Sequence, residues 1–311
     1  MRHLEKKEFY KELFALAIPI GLQNLLVALI GASDALMLGR LTQDSVAAVS
    51  LANQIVFIMN LFIGAVVGGG GALIAQYWGK GDRDMVKNLF CMILKWSLAI
   101  SFVFFALTMV IPEQLMSIYT SDIALIDIGA SYLRAVGVSY LFVGVTQCYY
   151  LKMKVEGKAS KSVMISVVTL ITDIILAFFL IYGIAGVPKL GANGSAYSTV
   201  VVELVALIWC VAESYRGENI RPDWPGIRWF SADVTKDLLK ISLPMLGSSL
   251  AWGLGFSMHS LVMGHLGSDA TAAASITSVV QELITCVCKG ISAGAGIMIG
   301  KLLGQNLFKS F

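Results

Sequence analysis

Charged residues are scarce in this sequence. They make up 14% of its 311 residues, whereas a soluble protein carries about 25%. Hydrophobic residues make up 57%, and the mean hydropathy is +0.77. Several apolar runs reach the roughly 20 residues that a helix needs to cross a bilayer. A soluble fold would have to hide all of these runs from water, so the sequence predicts an all-α integral membrane protein.

The motifs of common enzymes are also missing. The chain has no Ser/His/Asp order, no HExxH, no Walker sequence and no redox CxxC. Its five cysteines lie inside apolar segments, which gives no sign of a disulfide framework or a zinc site. No polar stretch is large enough to fold into a nucleotide-binding domain. We therefore expect no enzyme, no cofactor and no nucleic-acid partner, and any transport would draw on an ion gradient.

An internal repeat organises the chain. A shift of 225 positions places Leu13–Gly79 on Leu238–Gly304 without a gap, with 15 identities in 67 positions. Composition alone would give roughly five identities, so the repeat is real. Each copy consists of an apolar helix with an early proline, a polar turn, and an apolar helix with clustered glycines.

The repeat also predicts an incomplete second copy. A full second copy would extend to about residue 440–450. We therefore expect a partial form in which the glycine faces of the last two helices are unpacked and the helices are loosely held. We also expect that this form alone does not export a solute.

Eight spans are predicted, at about 13–38, 45–77, 86–111, 123–151, 162–182, 195–215, 238–264 and 272–303. The polar, proline-broken stretch 216–236 predicts an interfacial connector. We therefore divide the chain into a first six-helix lobe at 1–215, a cytoplasmic connector at 216–236, and a partial second lobe at 237–311.

Lysine and arginine are unevenly distributed among the loops. Sixteen lie in the N-terminal segment and alternate loops, against only Arg40 and Lys189 in the opposite loops. The positive-inside rule places the N-terminus and the basic loops in the cytoplasm, for a multi-pass protein of the cell membrane. Lys95 and Arg134 fall inside spans. Both could snorkel to an interface, and Arg134 could instead pair with Asp127 on the same helix face.

Two acids inside apolar spans are candidate functional residues. Asp34 lies near the outer end of the first span, and Asp173 lies halfway along the fifth. A charge at the bilayer centre costs at least about 2.5–3.5 kcal/mol. An acid there can load and release a proton, or hold Na⁺ when ionised. The alternative is that each carboxyl group caps a broken helix or bonds a neighbouring hydroxyl.

Further polar groups lie inside the spans. Glu203 follows Thr199 by four residues and so shares its helix face. His259 occupies the repeat position of Asp34, and it either carries a proton or only forms hydrogen bonds. Glu282 belongs to the second bundle.

The four glycines at 68–71 follow no strand and precede no Gly-Lys-Ser/Thr sequence, so they are not a phosphate loop. They predict either close helix packing or a local hinge. Pro19 and Pro244 predict kinks in their helices.

Several short motifs occur in a fixed order along the chain. They are Pro19 and Asp34-Ala-Leu-Met-Leu-Gly39, Ala47-Ala48 with Asn53-Gln54, Glu156-Gly-Lys158, Asp173 with Phe179 to Gly183, and Gly191 to Thr199. With the repeat, these motifs resemble the multidrug and toxic compound extrusion (MATE) family of cation-coupled exporters. The resemblance implies a two-lobe repeat architecture, of which this chain matches about eight of the expected twelve helices.

The resemblance also implies antiport, in which organic cations or other amphiphiles leave as H⁺ or Na⁺ enters. The family's first-lobe acids map onto Asp34 and Asp173, with Asn53 and Thr199 as polar neighbours. NorM-type members carry a glutamate where this chain has Trp252, which favours coupling in the first lobe. The implied partners are a small amphiphilic or cationic solute and membrane lipid. The alternatives are a lipid-linked oligosaccharide flippase of the same superfamily and a non-transporting fragment.

Overall fold

The computed structural model describes residues 6–184, 188–216, 221–229, 231–265 and 268–305. For some residues inside helices, His259 and Glu282 among them, only the backbone is described. The helices are α1 (Lys6–Gly39), α2 (Gln43–Lys80), α3 (Arg83–Val110), α4 (Pro112–Ser117), α5 (Ile123–Val155), α6 (Ala159–Tyr182), α7 (Ala192–Tyr215), α8 (Trp224–Arg228), α9 (Ala232–His265) and α10 (Ser268–Gly304). Within these ranges there is no strand, so the prediction of an all-α protein is confirmed.

Each of the eight predicted spans corresponds to a long helix, and only the short α4 and α8 were not predicted. Among the described residues, seven helices are long and apolar enough to cross a membrane. The exception is α9, whose apolar residues are interrupted by many glycines and serines. The prediction of eight spans is thus confirmed for seven, and the eighth is a long helix of lower hydropathy.

Short polar turns join the long helices into antiparallel pairs. Between α1 and α2, Thr42 caps the new helix by accepting a hydrogen bond from the Ser45 amide at 3.1 Å. At the end of α2, Gly81 adopts a left-handed conformation with φ of 84°, which glycine does at no steric cost. Asp82 then caps α3 by accepting a hydrogen bond from the Met85 amide at 3.0 Å.

The buried apolar side chains form two clusters, one toward each end of the helices. We call the end that carries Lys80, Lys154 and Lys158 the basic end, and the opposite end the far end. The basic-end cluster includes Leu16, Ile74, Phe90, Leu151, Cys210 and Leu238. The far-end cluster includes Leu38, Met59, Leu133, Tyr140, Ile181 and Ala196. The first seven helices, the start of α9 and Ile297 of α10 therefore contribute buried side chains to these two clusters.

The sequence repeat reappears as pairs of equivalent contacts between the two copies. A Cβ atom built on Gly294 of α10 would lie 3.1 Å from the backbone nitrogen of Ala17 on α1. A Cβ atom built on Gly69 of α2 would lie 3.1 Å from the backbone nitrogen of Ser242 on α9. The 225-residue shift converts one residue pair into the other. The α1–α10 and α2–α9 crossings are therefore equivalent across a pseudo-two-fold axis.

The crossing of α2 with α10 lies on this axis. Gly79 of α2 contacts the Lys301 backbone, and Gly304 of α10 contacts the Gln76 backbone in the same way. The shift of 225 exchanges these two contacts as well. Gly300 meets Ala75, which is its own repeat equivalent. Small residues allow this close approach of two backbones in a membrane helix pair.

These contacts correct one expectation from the sequence. The glycine faces of the second copy were expected to be unpacked, which is wrong for the residues in contact with α1 and α2, namely Gly290, Gly294, Gly300 and Gly304. No neighbour lies within 4 Å of a Cβ built on Gly247, Gly255 or Gly296. The last two helices are therefore packed along the face toward the first copy, and loose association is not what the structure shows.

The glycine run of α2 packs against several helices at once. Gly68 faces Met245, Gly69 faces Ser242, Gly70 faces Ile93 and Gly71 faces Leu151. These neighbours come from α9, α3 and α5. Because α2 continues as one helix through the run, the prediction of close packing is confirmed and the hinge is not supported. Pro19 and Pro244 lie inside α1 and α9.

The two basic residues inside predicted spans both have specific partners. The Lys95 ammonium donates a hydrogen bond to the Trp229 carbonyl of the connector at 2.8 Å. Arg134 pairs with Glu113 of α4 at 2.6 Å. The predicted pairing of Arg134 with Asp127 is therefore wrong, because the unpredicted helix α4 brings a carboxylate closer. Neither cation extends into the interior between α1, α6 and α7.

Candidate functional site

Asp34 and Asp173 come together in the interior between α1, α6 and α7, toward the far end. Helices α6 and α7 pack closely at this end. A Cβ atom built on Gly194 of α7 would lie only 2.7 Å from the backbone nitrogen of Ile181 on α6. The far ends of α6 and α1 are joined by the Tyr182 hydroxyl, which donates to the Met37 carbonyl at 2.9 Å. The two acids are therefore neighbours in space although they lie 139 positions apart in the sequence.

Asp34 is held by the start of α7. The hydroxyl group of Ser195, itself 0% exposed, donates a hydrogen bond to Asp34 Oδ2 at 2.9 Å. Asp34 remains half-buried, so its carboxyl group has both a fixed partner and a route to ligands. Asp34 also lies close enough to Asp173 for the two carboxyl groups to interact electrostatically.

Asp173 is the more deeply buried of the two acids. It is 1% exposed, and neither of its carboxyl oxygens has a hydrogen-bond partner among the described residues. Ser198 of α7 faces it, but the Ser198 hydroxyl donates to the Ser195 carbonyl at 2.8 Å. An ionised carboxylate in this position has a large desolvation cost, so a bound proton or cation would stabilise the site.

Tyr132 of α5 completes this group. Its hydroxyl lies near Ser195, Asp34 and Asp173, and it donates a long hydrogen bond of 3.5 Å to Asn53 Oδ1. Asn53 is exposed on α2, and its recorded hydrogen bond is to Tyr132 and not to either acid. Asn53, predicted as a polar neighbour of the acids, is therefore linked to them through Tyr132.

The other predicted neighbours lie on α7, α9 and α10. Thr199 donates to the Ser195 carbonyl at 3.0 Å, so it supports the helix that holds Ser195. Glu203 lies one turn further along α7 and interacts electrostatically with Asp173. The side chains of His259 and Glu282 lie outside the described residues.

Sequence reasoning missed two members of the group, Ser195 and Tyr132. Ser195 lies inside the motif that runs from Gly191 to Thr199, and its one-turn spacing from Thr199 was a usable signal. Tyr132 carries no such signal, because a tyrosine in an apolar span is ordinary and only the tertiary fold directs it toward the acids.

Trp252 occupies the position where NorM-type relatives were expected to carry a glutamate. It is 57% exposed and stacks on Phe256 with ring centroids 5.8 Å apart. Its ring also lies 6.0 Å from that of Phe57 on α2. At the position where a glutamate was expected, this chain therefore has an aromatic side chain that packs with other aromatic rings of α2 and α9. Among the described residues, no cluster of three or more His, Cys, Asp or Glu side chains could hold a metal ion.

The family model described as MatE matches residues 19–179. The chain belongs to this family. The match covers more than half of the chain and includes both Asp34 and Asp173. With the seven apolar helices, membership of the MATE family makes the chain a multi-pass membrane protein, as the sequence predicted.

Two curated relatives and one solved structure show the extent of the likeness. The uncharacterized transporter YisQ of Bacillus subtilis is 23% identical over 296 residues, which are 95% of this chain and 65% of YisQ. The multidrug resistance protein PmpM of Pseudomonas aeruginosa is 26% identical over 314 residues, covering 98% of this chain and 65% of PmpM. An outward-facing multidrug resistance MATE transporter of the MOP superfamily superposes with a TM-score of 0.85 at 18% identity, over 95% of this chain and 65% of that one.

The chain thus spans about 65% of the length of the curated relatives that it matches. The structural likeness confirms the MATE-like fold, and the matched length corresponds to about eight of twelve helices.

Proposed function

We propose that this chain carries the first-lobe coupling site of a secondary active efflux transporter. In this proposal organic cations or amphiphilic drugs are exported in exchange for H⁺ or Na⁺, and Asp34 and Asp173 are the groups that bind the coupling ion. The observation that carries the proposal is a pair of interacting carboxyl groups, Asp34 half-buried and Asp173 buried with both oxygens unpartnered. Among the described residues, no basic side chain is recorded as a partner of either acid.

The chemistry follows from the charge that these acids can hold. Two nearby carboxylates in a dry interior repel each other, and a proton, Na⁺ or an organic cation relieves that repulsion. Because all three ligands neutralise the same charge, binding of one disfavours binding of another. Such competition is the basis of exchange transport. One charge moving through 100 mV supplies about 2.3 kcal/mol, which sustains roughly a 50-fold solute gradient.

The division of the chain and its orientation in the membrane are also part of the proposal. We propose residues 1–215 as the first lobe, 216–236 as the cytoplasmic connector and 237–311 as part of the second lobe. The excess of lysine and arginine at the basic end supports a cytoplasmic N-terminus in the cell membrane. We expect neither a cofactor nor enzymatic activity, because the coupling ion alone supplies the energy.

The structure does not favour the flippase alternative. A lipid-linked oligosaccharide carries phosphate, and a cavity for it would be expected to present cationic side chains. Lys95 is instead bound to the Trp229 carbonyl, and Arg134 is paired with Glu113. The acids between α1, α6 and α7 suit a cationic ligand better.

A binding experiment tests the proposed site. The 311-residue protein in nanodiscs is titrated with the fluorescent cation ethidium over a range of pH and Na⁺ concentration. We expect ethidium affinity to fall as H⁺ or Na⁺ rises, by up to about tenfold per pH unit for one competing proton. Asp34→Asn and Asp173→Asn should each remove this dependence.

Asp127→Asn is the matched control, because Asp127 is an exposed acid of α5 outside the site. If both site variants keep the ion dependence of the native protein, the assignment of coupling to Asp34 and Asp173 is wrong. The binding test uses only residues that this chain contains. Transport is a separate property and is measured in vesicles with an imposed gradient.

A further inference from the structure

A buried polar face continues along α6 from Asp173 to the basic end. It consists of Asp173, Thr169, Ser166 and Ser162, which follow one another at intervals of three or four residues and are 1%, 6%, 4% and 1% exposed. The hydroxyls of Ser162, Ser166 and Thr169 donate to backbone carbonyls of α6 itself, so they are satisfied as donors and their oxygens face the neighbouring helices. Its last member lies beside Lys161, which pairs with Glu213 at the basic end.

One side chain of this face and one beside it have unsatisfied polar atoms. Gln23 of α1 is 4% exposed and donates to the Ser166 hydroxyl at 3.1 Å, but its carbonyl oxygen has no partner. Both carboxyl oxygens of Asp173 are likewise unpartnered. Buried acceptors of this kind are normally satisfied by protein or by water. The face therefore offers acceptor positions to water at two levels, about two helical turns apart along α6.

Glu203 lies across from this face on α7. It interacts electrostatically with Asp173 on α6, with Tyr150 on α5 and with Cys210 on α7. Glu203 is half-buried, and none of these three groups is a cation. A glutamate without a basic partner, between an unpartnered acid and the basic end, is placed to take up and release a proton.

We propose that Glu203 carries protons between Asp173 and the basic end, and that Gln23 and Ser166 position the water through which they move. This inference rests on the proposed function, because it supplies the inner route to the same coupling site. In the first step a proton leaves the Asp173 carboxyl group through a water molecule and binds the Glu203 carboxylate. Asp173 becomes ionised, Glu203 becomes neutral, and the net charge of the pair is unchanged.

In the second step Glu203 releases that proton to water held at Gln23 and Ser166. The proton then passes through water along the polar face of α6 to the solvent at the basic end, and Glu203 returns to its ionised form. The hydroxyls of this face donate to carbonyls of α6 itself, so they offer this water their oxygens as acceptors. The half-buried Asp34 communicates with the far end. The two ends of the site would thus have separate proton routes, which alternating access requires.

The test measures protonation from each side of the membrane. The 311-residue protein is placed in vesicles with its basic ends outward, verified by labelling a cysteine introduced at Lys158. A rapid pH step is applied outside or inside, and the carboxyl C=O infrared band is followed in time. We expect Glu203→Gln to slow the response to the outside step by about 100-fold, the scale of losing a positioned proton-transfer group. The response to the inside step should not change.

Conservative and control variants make the result specific. Glu203→Asp should restore a large part of the outside rate, and Asp127→Asn should match the native protein in both directions. An unchanged outside rate in Glu203→Gln overturns the inference. Equal slowing from both sides, without rescue by Glu203→Asp, also overturns it, because that pattern indicates a structural role.

The same measurement separates this inference from the proposed function. Asp34→Asn and Asp173→Asn should remove most of the pH-dependent infrared signal. If they do and Glu203→Gln is silent, only the relay is wrong. If the signal is the same in both aspartate variants as in the native protein, the coupling site itself is wrong.

Discussion

The α2–α10 crossing gives a quantitative prediction about stability. A Cβ atom on Gly304 would lie 2.7 Å from the carbonyl carbon and 3.0 Å from the Cα of Gln76. A Cβ atom on Gly79 would lie 2.8 and 2.9 Å from the same atoms of Lys301. These are backbone atoms, so no side-chain rotation can relieve the clash. Gly304→Ala should therefore force the two helices apart.

The magnitude follows from two opposing effects. Overpacking costs about 1–3 kcal/mol, whereas replacing a helical glycine with alanine gains about 0.8–1.0 kcal/mol. Gly296 lies on the same helix and has no neighbour within 4 Å of a built Cβ, so Gly296→Ala receives only the gain. The gain applies to both variants and cancels, so they should differ by the overpacking cost of about 1–3 kcal/mol, with Gly304→Ala the less stable.

Thermal unfolding of the detergent-purified protein measures this difference. We expect the Tm of Gly304→Ala to fall and that of Gly296→Ala to rise, by about 2 °C for each kcal/mol in a chain of this size. Gly79→Ala should resemble Gly304→Ala. The double variant should cost less than the sum, because both changes separate the same two helices. Equal shifts in Gly304→Ala and Gly296→Ala would refute the reasoning.

Two further predictions concern the connector and the topology. The hydrogen bond from Lys87 to Asp223 at 3.0 Å, together with the Gly226 amide, holds the pKa of the Asp223 carboxyl below its usual value. Its contribution to docking of the connector is therefore present above the ordinary aspartate pKa and is lost as the pH falls through the lowered one. Hydrogen exchange over 224–229 should be faster in Asp223→Asn than in the native protein at neutral pH, with the difference vanishing in strong acid. A difference that persists there would contradict the ion-pair explanation. In intact cells, a cysteine probe at Asn193 should be labelled from outside and one at Lys158 only after permeabilisation, and the reverse pattern would invert the proposed orientation.

The helices could be predicted because hydrophobic length alone marks a membrane span. The repeat further predicted which two segments would be equivalent. It did not predict that Gly294 and Gly304 would be packed, since a shift in sequence shows equivalence but not contact. The short α4 and α8 were missed because each is too short to carry a periodic pattern.

Only part of the candidate site could be predicted from the sequence. Asp34 and Asp173 stand out because charge is costly in an apolar helix. Their proximity to each other, and the presence of Tyr132 beside them, depend on how α1, α5, α6 and α7 cross. The partners of Lys95 and Arg134 likewise come from segments distant in sequence. The free-energy cost of placing a charge in an apolar helix can be inferred from the local sequence. Contacts between distant segments can be identified only from the folded structure.

The contact pairs exchanged by the 225-residue shift have one more consequence. In an isologous interface, residue i of one subunit contacts residue j of the other while j contacts i. Ala17 contacts Gly294, and Ser242 contacts Gly69, so α1 and α2 of the first copy already contain both halves of such an interface. The face that receives α9 and α10 is therefore self-complementary, and a first copy freed of those two helices would present a surface suited to pairing with another molecule of itself.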